Sequence, residues 1–327
     1  MKTEVKLTHS RPGPKKLSIT TTALVVIDMQ RDFLEQGGYG TALGNEVTLL
    51  APCIPQVRRL LAGFRAAGLP VFHTLEGHQP DLSDCPPFKR EHGTTGLRIG
   101  DRGPWGRYLI LGEPGNSIIP ACRPWAGEVT LEKPGKGAFY KTRFEEVLKA
   151  QNIKTLVLCG VTTEVCVQTT AREAADRGFE VLLVTDATAS YIPAFKESVI
   201  EMFVSQGGIV GWTTTVNELL FAVLSAQTWI DKVTWNTLRP GLRKASLCRD
   251  ADGWESAFLS YEAGARAPLH RHAGTERILI LKGSQRDAHG TYEAGRGVEN
   301  LPGSVHEVES QSGCLLFIDW DLPVEFL

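Results

Sequence analysis

Apolar residues in the first two thirds of the chain gather in short unbroken runs, whereas in the last third they alternate with polar ones. Residues 23–27 (Ala-Leu-Val-Val-Ile) form one such run, which ends at Asp28. Residues 54–67 carry a helical spacing that Gly68 and Pro70 stop. Further strand-like runs lie at 70–74, 128–131, 155–159, 179–185 and 208–211. Helical spacing covers 142–150, 164–177, 193–206 and 216–226. This alternation predicts a parallel sheet with helices on both faces. From Glu76 to about Pro124 the chain is rich in Gly and Pro and reads as one long loop. Loops of that length in compact domains usually carry function or cover a site.

The period changes after Ala226. Short alternating segments follow at 255–261, 276–281, 305–309 and 315–319, separated by Gly, Pro and Asp turns. They predict a small all-β barrel or sandwich. The expected organisation is an N-terminal extension (1–18), an α/β domain with a doubly wound, mostly parallel sheet (19–228), a linker (229–244) and a small all-β domain (245–327).

Composition narrows the function. A net charge of -2 over 327 residues gives no reason to expect nucleic-acid or membrane-surface binding. No apolar run approaches the roughly 20 residues that span a bilayer. Residues 1–18 are polar and lack the apolar core of a signal peptide. Seven scattered cysteines, an odd number, fit free thiols in a reducing cytoplasm.

One cysteine is placed for chemistry. Cys166 lies in the first turn of a helix, just past the strand at 155–159 and a Gly-Val-Thr-Thr turn. That edge of an open α/β sheet collects ligands, and a helix N-terminus favours a thiolate. Asp28 ends the first strand and Lys133 follows the third, so a carboxylate, an ammonium and a thiol can meet at one edge. The histidines of this region, His9, His73, His78 and His92, all precede Cys166, which does not support a cysteine-protease order.

Three motifs, Val-Val-Ile-Asp28-Met-Gln-Arg-Asp-Phe33, Glu-Lys133-Pro-Gly-Lys-Gly-Ala-Phe139 and Cys-Gly160-Val-Thr-Thr-Glu-Val-Cys166, resemble the isochorismatase-like cysteine hydrolases over the first 225 or so residues. Thr185-Asp186-Ala187 also fits that pattern. The resemblance implies a catalytic triad of Asp28, Lys133 and Cys166, with Lys133 rather than Lys136 as its lysine. It implies a cis peptide at Val161–Thr162 and an oxyanion hole from the backbone amides of Thr162 and Cys166. It further implies amide-type C–N hydrolysis through an acyl-enzyme, with no cofactor required. Asp28 would take the thiol proton, and Lys133 would lower the thiol pKa. Vinyl-ether hydrolases of the family lack the cysteine.

The pattern around Glu76–Pro87, Gly112–Gly115 and Lys133–Phe139 resembles the ureide-cleaving branch, which includes biuret, triuret and ureidoacrylate hydrolases. Phe33, Glu76 and Gln206 are the substrate contacts it implies. Glu76-Gly-His78 occupies the place of a nicotinamidase metal motif, but the next histidine is His92. Another amidase substrate (an N-carbamoyl compound, ureidoacrylate, guanylurea or nicotinamide) is the alternative. So is a metal-sensing or interaction protein with a residual hydrolase domain.

In the last third, His270 and His272 stand two apart in a strand and face one side. Glu276 and His306 can join them, which makes a site for Zn²⁺, Fe²⁺, Mn²⁺, Ni²⁺ or Cu²⁺. The spacing resembles the two cupin motifs over about 85 residues, in the form found in anti-sigma factors, with Ser310 in place of an Asn. Dimers or tetramers are expected from both resemblances. The expected partner is a small ureide or amide, with no nucleic acid and no membrane.

Overall fold

A computed structural model describes residues 4–91, 96–225 and 229–327. His92 and residues 226–228 fall outside the described residues. No described helix is long and apolar enough to cross a membrane. The chain divides into two compact units, one of Thr3–Leu61 with Leu69–Val216 and one of Ala62–Gly68 with Asn217–Leu327.

The first unit opens with an antiparallel hairpin of β1 (Glu4–Leu7) and β2 (Lys15–Ser18). The polar sequence of this hairpin hides it, because only Leu7 and Leu17 are buried along it. β3 (Thr22–Ile27) is buried along its whole length. Two single-turn helices, α1 (Arg31–Leu34) and α2 (Tyr39–Ala42), lead to α3 (Cys53–Ala67). β4 (Val71–Glu76) follows, then the short helix α4 (Pro87–Glu91) and a two-rung hairpin of β5 (Arg102–Gly103) and β6 (Gly106–Arg107). β7 (Val129–Lys133), α5 (Phe144–Ala150) and β8 (Thr155–Val161) come next. Residues 163–167 form a wide π-helical turn that opens α6 (Gln168–Asp176). β9 (Glu180–Ala189), α7 (Pro193–Gly208) and β10 (Trp212–Thr214) complete the unit.

Six strands make one parallel sheet in the order β10-β9-β8-β3-β4-β7. From β3 the chain builds outward to β4 and β7, then crosses back to β8 on the other side of β3. The strand order therefore reverses between β3 and β8, which is where open α/β sheets bind ligands. Asp28 and the Cys166 turn leave the sheet on either side of this point. Gly160 pairs with Ile27 there at φ 105. A Cβ on Gly160 would collide with the Ile27 carbonyl. The apolar faces of β3, β8 and β9 pack against Phe139, Phe144, Val167, Ala171 and Phe203. Strand 208–211 of the sequence pattern is displaced to 212–214, because the chain from Ser205 to Gly207 leaves helical geometry before Gly208.

The second unit begins with α8 (Val216–Leu224), most of which it contains. Ten strands follow: β11 (Asn236–Arg239), β12 (Leu242–Arg249), β13 (Glu255–Tyr261), β14 (Ala265–His272), β15 (Glu276–Asp287), β16 (Gly290–Glu293), β17 (Gly297–Asn300), β18 (Val305–Ser310), β19 (Cys314–Trp320) and β20 (Val324–Phe326). They form one antiparallel sheet, ordered β11-β12-β13-β19-β15-β18-β14-β20, with β16 and β17 paired to β15. β15 joins its two parts. Residues 276–280 pair with β19, and Arg286 pairs with β18. The stretch read as a linker holds β11 and the start of β12, joined by Pro240-Gly241 with Gly241 at φ 72. β11 is largely exposed, so it leaves no apolar signature. One face of β13 sends Ala257, Leu259 and Tyr261 into the core with Ile278, Ile280 and Leu316. On its other face Phe258 stacks on Trp229 at 3.6 Å between ring centres.

Candidate active site and metal centre

Three strand ends supply the charged groups of the first unit. Asp28 leaves β3 at φ 49. Its N–H donates to Thr74 Oγ1 (3.2 Å), and the Thr74 hydroxyl donates back to Asp28 Oδ1 (2.6 Å). Lys133, the last residue of β7, places Nζ 2.7 Å from Asp28 Oδ2, and both side chains are fully buried. Lys133 Nζ also donates to the carbonyls of Gly135 (3.1 Å) and Lys136 (3.0 Å). The ammonium thus has three partners, which a buried charge needs to be tolerable.

Glu76 ends β4 in register with Lys133. Gln30 holds that strand end: its Oε1 accepts from Glu76 N–H (2.8 Å) and its Nε2 donates to the Glu76 carbonyl (3.0 Å). The Glu76 side chain is fully buried, with Oε1 held by Lys136 Nζ (2.8 Å) and Lys89 Nζ (2.9 Å). Its Oε2 lies 3.8 Å from Lys133 Nζ and accepts from the Cys166 thiol at 3.3 Å. Asp28, Glu76 and Cys166 all bring their reactive atoms within 4.8 Å of one another. His78 is not in this group; it is buried with Nδ1 3.3 Å from Asp84 Oδ1.

Lys133 acts on the Cys166 thiol in the expected direction, but other groups outweigh it. Burial pushes the Cys166 thiol well above its ordinary pKa; Lys133 pulls it down, but Asp28 and Glu76 add to the rise. Lys133 therefore does not produce a resting thiolate, and Cys166 stands as a neutral thiol hydrogen-bonded to a carboxylate. Burial also opposes ionisation of Glu76, but Lys136, Lys133 and Lys89 outweigh it and hold that carboxyl well below its usual range. Burial opposes the charge on Lys133 as well, and Asp28, Cys166 and Glu76 overcome it, so its pKa is raised.

Beside the thiol lies a cavity of about 200 Å³, lined by Phe33, Tyr39, Glu76, Lys136, Thr162 and Cys166 among others. The Val161–Thr162 peptide is cis. Phe33, Glu76 and Thr162 thus join Asp28, Lys133 and Cys166 at one place. Gln206 does not. It is exposed at the end of α7 with φ 51, where the chain from Ser205 to Gly207 departs from the helix, and it is not among the residues lining the cavity. Sequence reasoning missed two lysines. Lys136 was visible in Lys-Pro-Gly-Lys but set aside as outside the triad, and Lys89 sits on the short helix α4, in a stretch whose sequence reads only as loop.

In the second unit, His270 and His272 alternate inward along β14, and His270 pairs across the ladder with His306 of β18. The three rings lie 4.7–5.0 Å apart between centres. One nitrogen from each comes within 4.8 Å of the others. His270 Nδ1 lies 2.7 Å from the Pro268 carbonyl and His306 Nδ1 lies 3.2 Å from Asp287 Oδ2. Those acceptors fix Nδ1–H, so both rings turn an Nε2 lone pair inward. His272 Nε2 is 3.1 Å from His306 Nε2, and His272 Nδ1 is buried with no hydrogen-bond partner. Burial, then His306 and His270, lower the His272 pKa to about 4, which keeps this ring neutral. Glu276 stands beside two of the rings, 3.8 Å from His272 Nε2 and 4.0 Å from His306 Nε2, and accepts from Trp320 Nε1 (2.6 Å) and Asn300 Nδ2 (2.8 Å). Converging imidazoles with one orphaned nitrogen fit a divalent ion of the Zn²⁺ or Fe²⁺ type. An apolar-walled cavity of about 260 Å³ opens beside them.

Comparison with known proteins matches both units. Residues 22–216 fit the family model of the isochorismatase domain, and residues 225–321 fit that of the ChrR cupin-like domain. The ureidoacrylate amidohydrolase RutB of Methylorubrum extorquens is 31% identical over 212 residues, covering 63% of this chain and 84% of that protein. An isochorismatase family protein from Desulfovibrio vulgaris is 28% identical with a TM-score of 0.51, over 61% of this chain and 96% of the other. A cysteine hydrolase from Pseudomonas syringae pv. phaseolicola shares the fold, at 24% identity and a TM-score of 0.55, over 64% and 95% of the two chains.

Proposed function

The chain belongs to the isochorismatase family and is a hydrolase of C–N bonds outside peptides; we propose that it cleaves a small, biuret-like ureide with Cys166 as nucleophile. The observation that carries this reading is the buried Asp28–Lys133 ion pair set beside a thiol at the wall of one small cavity. A neutral thiol must lose its proton as it attacks. Glu76, clamped by three lysines, is held ionised and is a poor proton acceptor. It orients the S–H, which leaves Asp28 to take the proton. Sγ bonds to the ureide carbonyl carbon, and the backbone amides of Thr162 and Cys166 hold the oxyanion. The C–N bond then breaks, and Asp28 returns the proton to the leaving nitrogen. Water gives a proton to Asp28 as it attacks the thioester, and Asp28 passes that proton to the departing sulfur, which releases the acid and restores the thiol. Lys133 stays protonated throughout and offsets the charge on Asp28.

A cavity of about 200 Å³ suits a molecule of a few heavy atoms. A flat ureide offers carbonyl acceptors to Lys136 and amide donors to a carboxylate such as Glu76, and it can lie against the ring of Phe33. Similar proteins bear the name ureidoacrylate amidohydrolase, which also favours a ureide. The deciding experiment is ammonia release from biuret, triuret, guanylurea, ureidoacrylate and nicotinamide. Turnover of the ureides, biuret foremost, is expected over nicotinamide, and Cys166→Ala is expected to lose on the order of 10⁴-fold or more in kcat. A Cys166→Ala protein that still turns over would rule out the thiol mechanism.

The second unit is proposed to hold a divalent metal through His270, His272 and His306, with Glu276 as the carboxylate beside them. Such an ion would supply a cross-link between β14 and β18. Assembly into a dimer or tetramer is proposed on family resemblance, and light scattering tests it.

A further inference from the structure

The inference rests on the ureide reading and concerns Glu164, two residues before the thiol. Glu164 lies in the π-helical turn and lines the same cavity as Cys166. Its Oε2 is buried and accepts no hydrogen bond among the described residues. The other two carboxylates near the thiol face cations: Asp28 Oδ2 accepts no hydrogen bond among the described residues but lies 2.7 Å from Lys133 Nζ, Asp28 Oδ1 accepts from Thr74, and Glu76 is held by Lys89 and Lys136. Glu164 as a whole is half-buried, but an acceptor oxygen shut off from water and left without a donor calls for an explanation. A donor brought by the ligand supplies one.

The charge balance narrows what that donor is. Asp28 and Lys133 cancel. Glu76 against Lys89 and Lys136 leaves one positive charge, and Glu164 cancels it. The whole set is neutral, which favours a neutral ligand over a cation or an anion. A neutral ligand that satisfies a carboxylate does so through N–H or O–H, and a primary carbamoyl group carries two N–H donors. We infer that Glu164 is a specificity residue that accepts the N–H of the substrate's unsubstituted carbamoyl group, –CO–NH₂, and so selects ureides with a free NH₂ terminus over N-substituted ones.

Two measurements test this. The first compares the parent with Glu164→Leu and Glu164→Gln on biuret. Loss of a hydrogen bond to a charged group is expected to raise KM about 10- to 100-fold in Glu164→Leu, with the effect on KM larger than that on kcat. Gln keeps one acceptor oxygen and is expected to fall between. The second needs no ureide turnover. It follows the alkylation of Cys166 by 2-iodoacetamide and by N,N-dimethyl-2-iodoacetamide, which lacks the N–H. The parent is expected to prefer iodoacetamide beyond the ratio shown by a free thiol. In Glu164→Leu that preference should fall to the free-thiol ratio. Circular dichroism of both variants reports whether they fold. Equal ratios in parent and folded variant would overturn the inference even if ureides are hydrolysed. A lost preference in the variant would uphold it even if biuret proves not to be the substrate.

Discussion

The Cys166 thiol lies close to an ammonium, yet burial and two carboxylates raise its pKa well above the ordinary thiol value. The sign of the resulting pH dependence is fixed. Below the raised pKa the group is S–H, and the reactive thiolate grows about tenfold per pH unit until that pKa is passed. A free thiol, with a pKa near 8.5, levels off at about pH 9. Alkylation of Cys166 by iodoacetamide in the substrate-free protein, followed by mass spectrometry, is therefore expected to keep rising beyond that point. A plateau at about pH 6–7 would instead show a thiolate already formed at rest. This balance was not legible in the sequence. Asp28, Lys133 and Cys166 could each be picked out, because each ends or follows an apolar run that delivers it to one sheet edge. The thiol's pKa depends on how deeply the site is buried and on Glu76 standing 3.3 Å away, and neither follows from spacing along the chain. Lys89 was invisible for the same reason: it meets Glu76 by the folding of an unpatterned stretch. Gln206 was misplaced because left-handed geometry at the end of α7 turns it to solvent.

At the level of elements, the continuous apolar runs located β3, β4, β8 and β9, since a strand buried on both faces has few polar positions to confuse the reading. Several mostly exposed strands escaped. β1, β2 and β11 bury few side chains, so only turn residues marked them. The closest fit in the sheet is between β3 and β8, where the site is built. Gly160 there sits at φ 105, a region that side-chain-bearing residues rarely adopt, with the Ile27 carbonyl where a Cβ would go. Backbone cannot yield as a side-chain tip can, and any shift would part the two strand ends that carry Asp28 and the Cys166 turn. Gly160→Ala is therefore expected to destabilise the fold by about 2–4 kcal/mol, combining an overpacking cost with a disfavoured φ. A urea denaturation midpoint measures it. An unchanged midpoint would mean that the strands separate more freely than their register implies.

For the whole molecule, the question is whether two centres on one chain serve one reaction. Every residue assigned to the thiol site lies in Thr3–Leu61 or Leu69–Val216, and every proposed metal ligand lies in Asn217–Leu327. The acyl-transfer steps proposed above also close on their own groups: Asp28 would move the proton, backbone amides would hold the oxyanion, and Lys133 would balance the charge. None of them calls on an imidazole. The histidine centre is likewise self-contained, because Pro268 and Asp287 orient its rings and Trp320 and Asn300 hold Glu276. Two sites with no shared residue and no shared proton have no chemical reason to depend on each other. His270→Ala/His272→Ala is therefore expected to lose bound metal while keeping kcat/KM for the ureide within about threefold of the parent, since sites that share no partner act nearly additively. Elemental analysis and the ammonia assay, run on the same preparation, read both quantities. Unchanged metal content would refute the ligand assignment, and a lost metal accompanied by a large fall in kcat at intact fold would show that the second unit takes part in the hydrolysis.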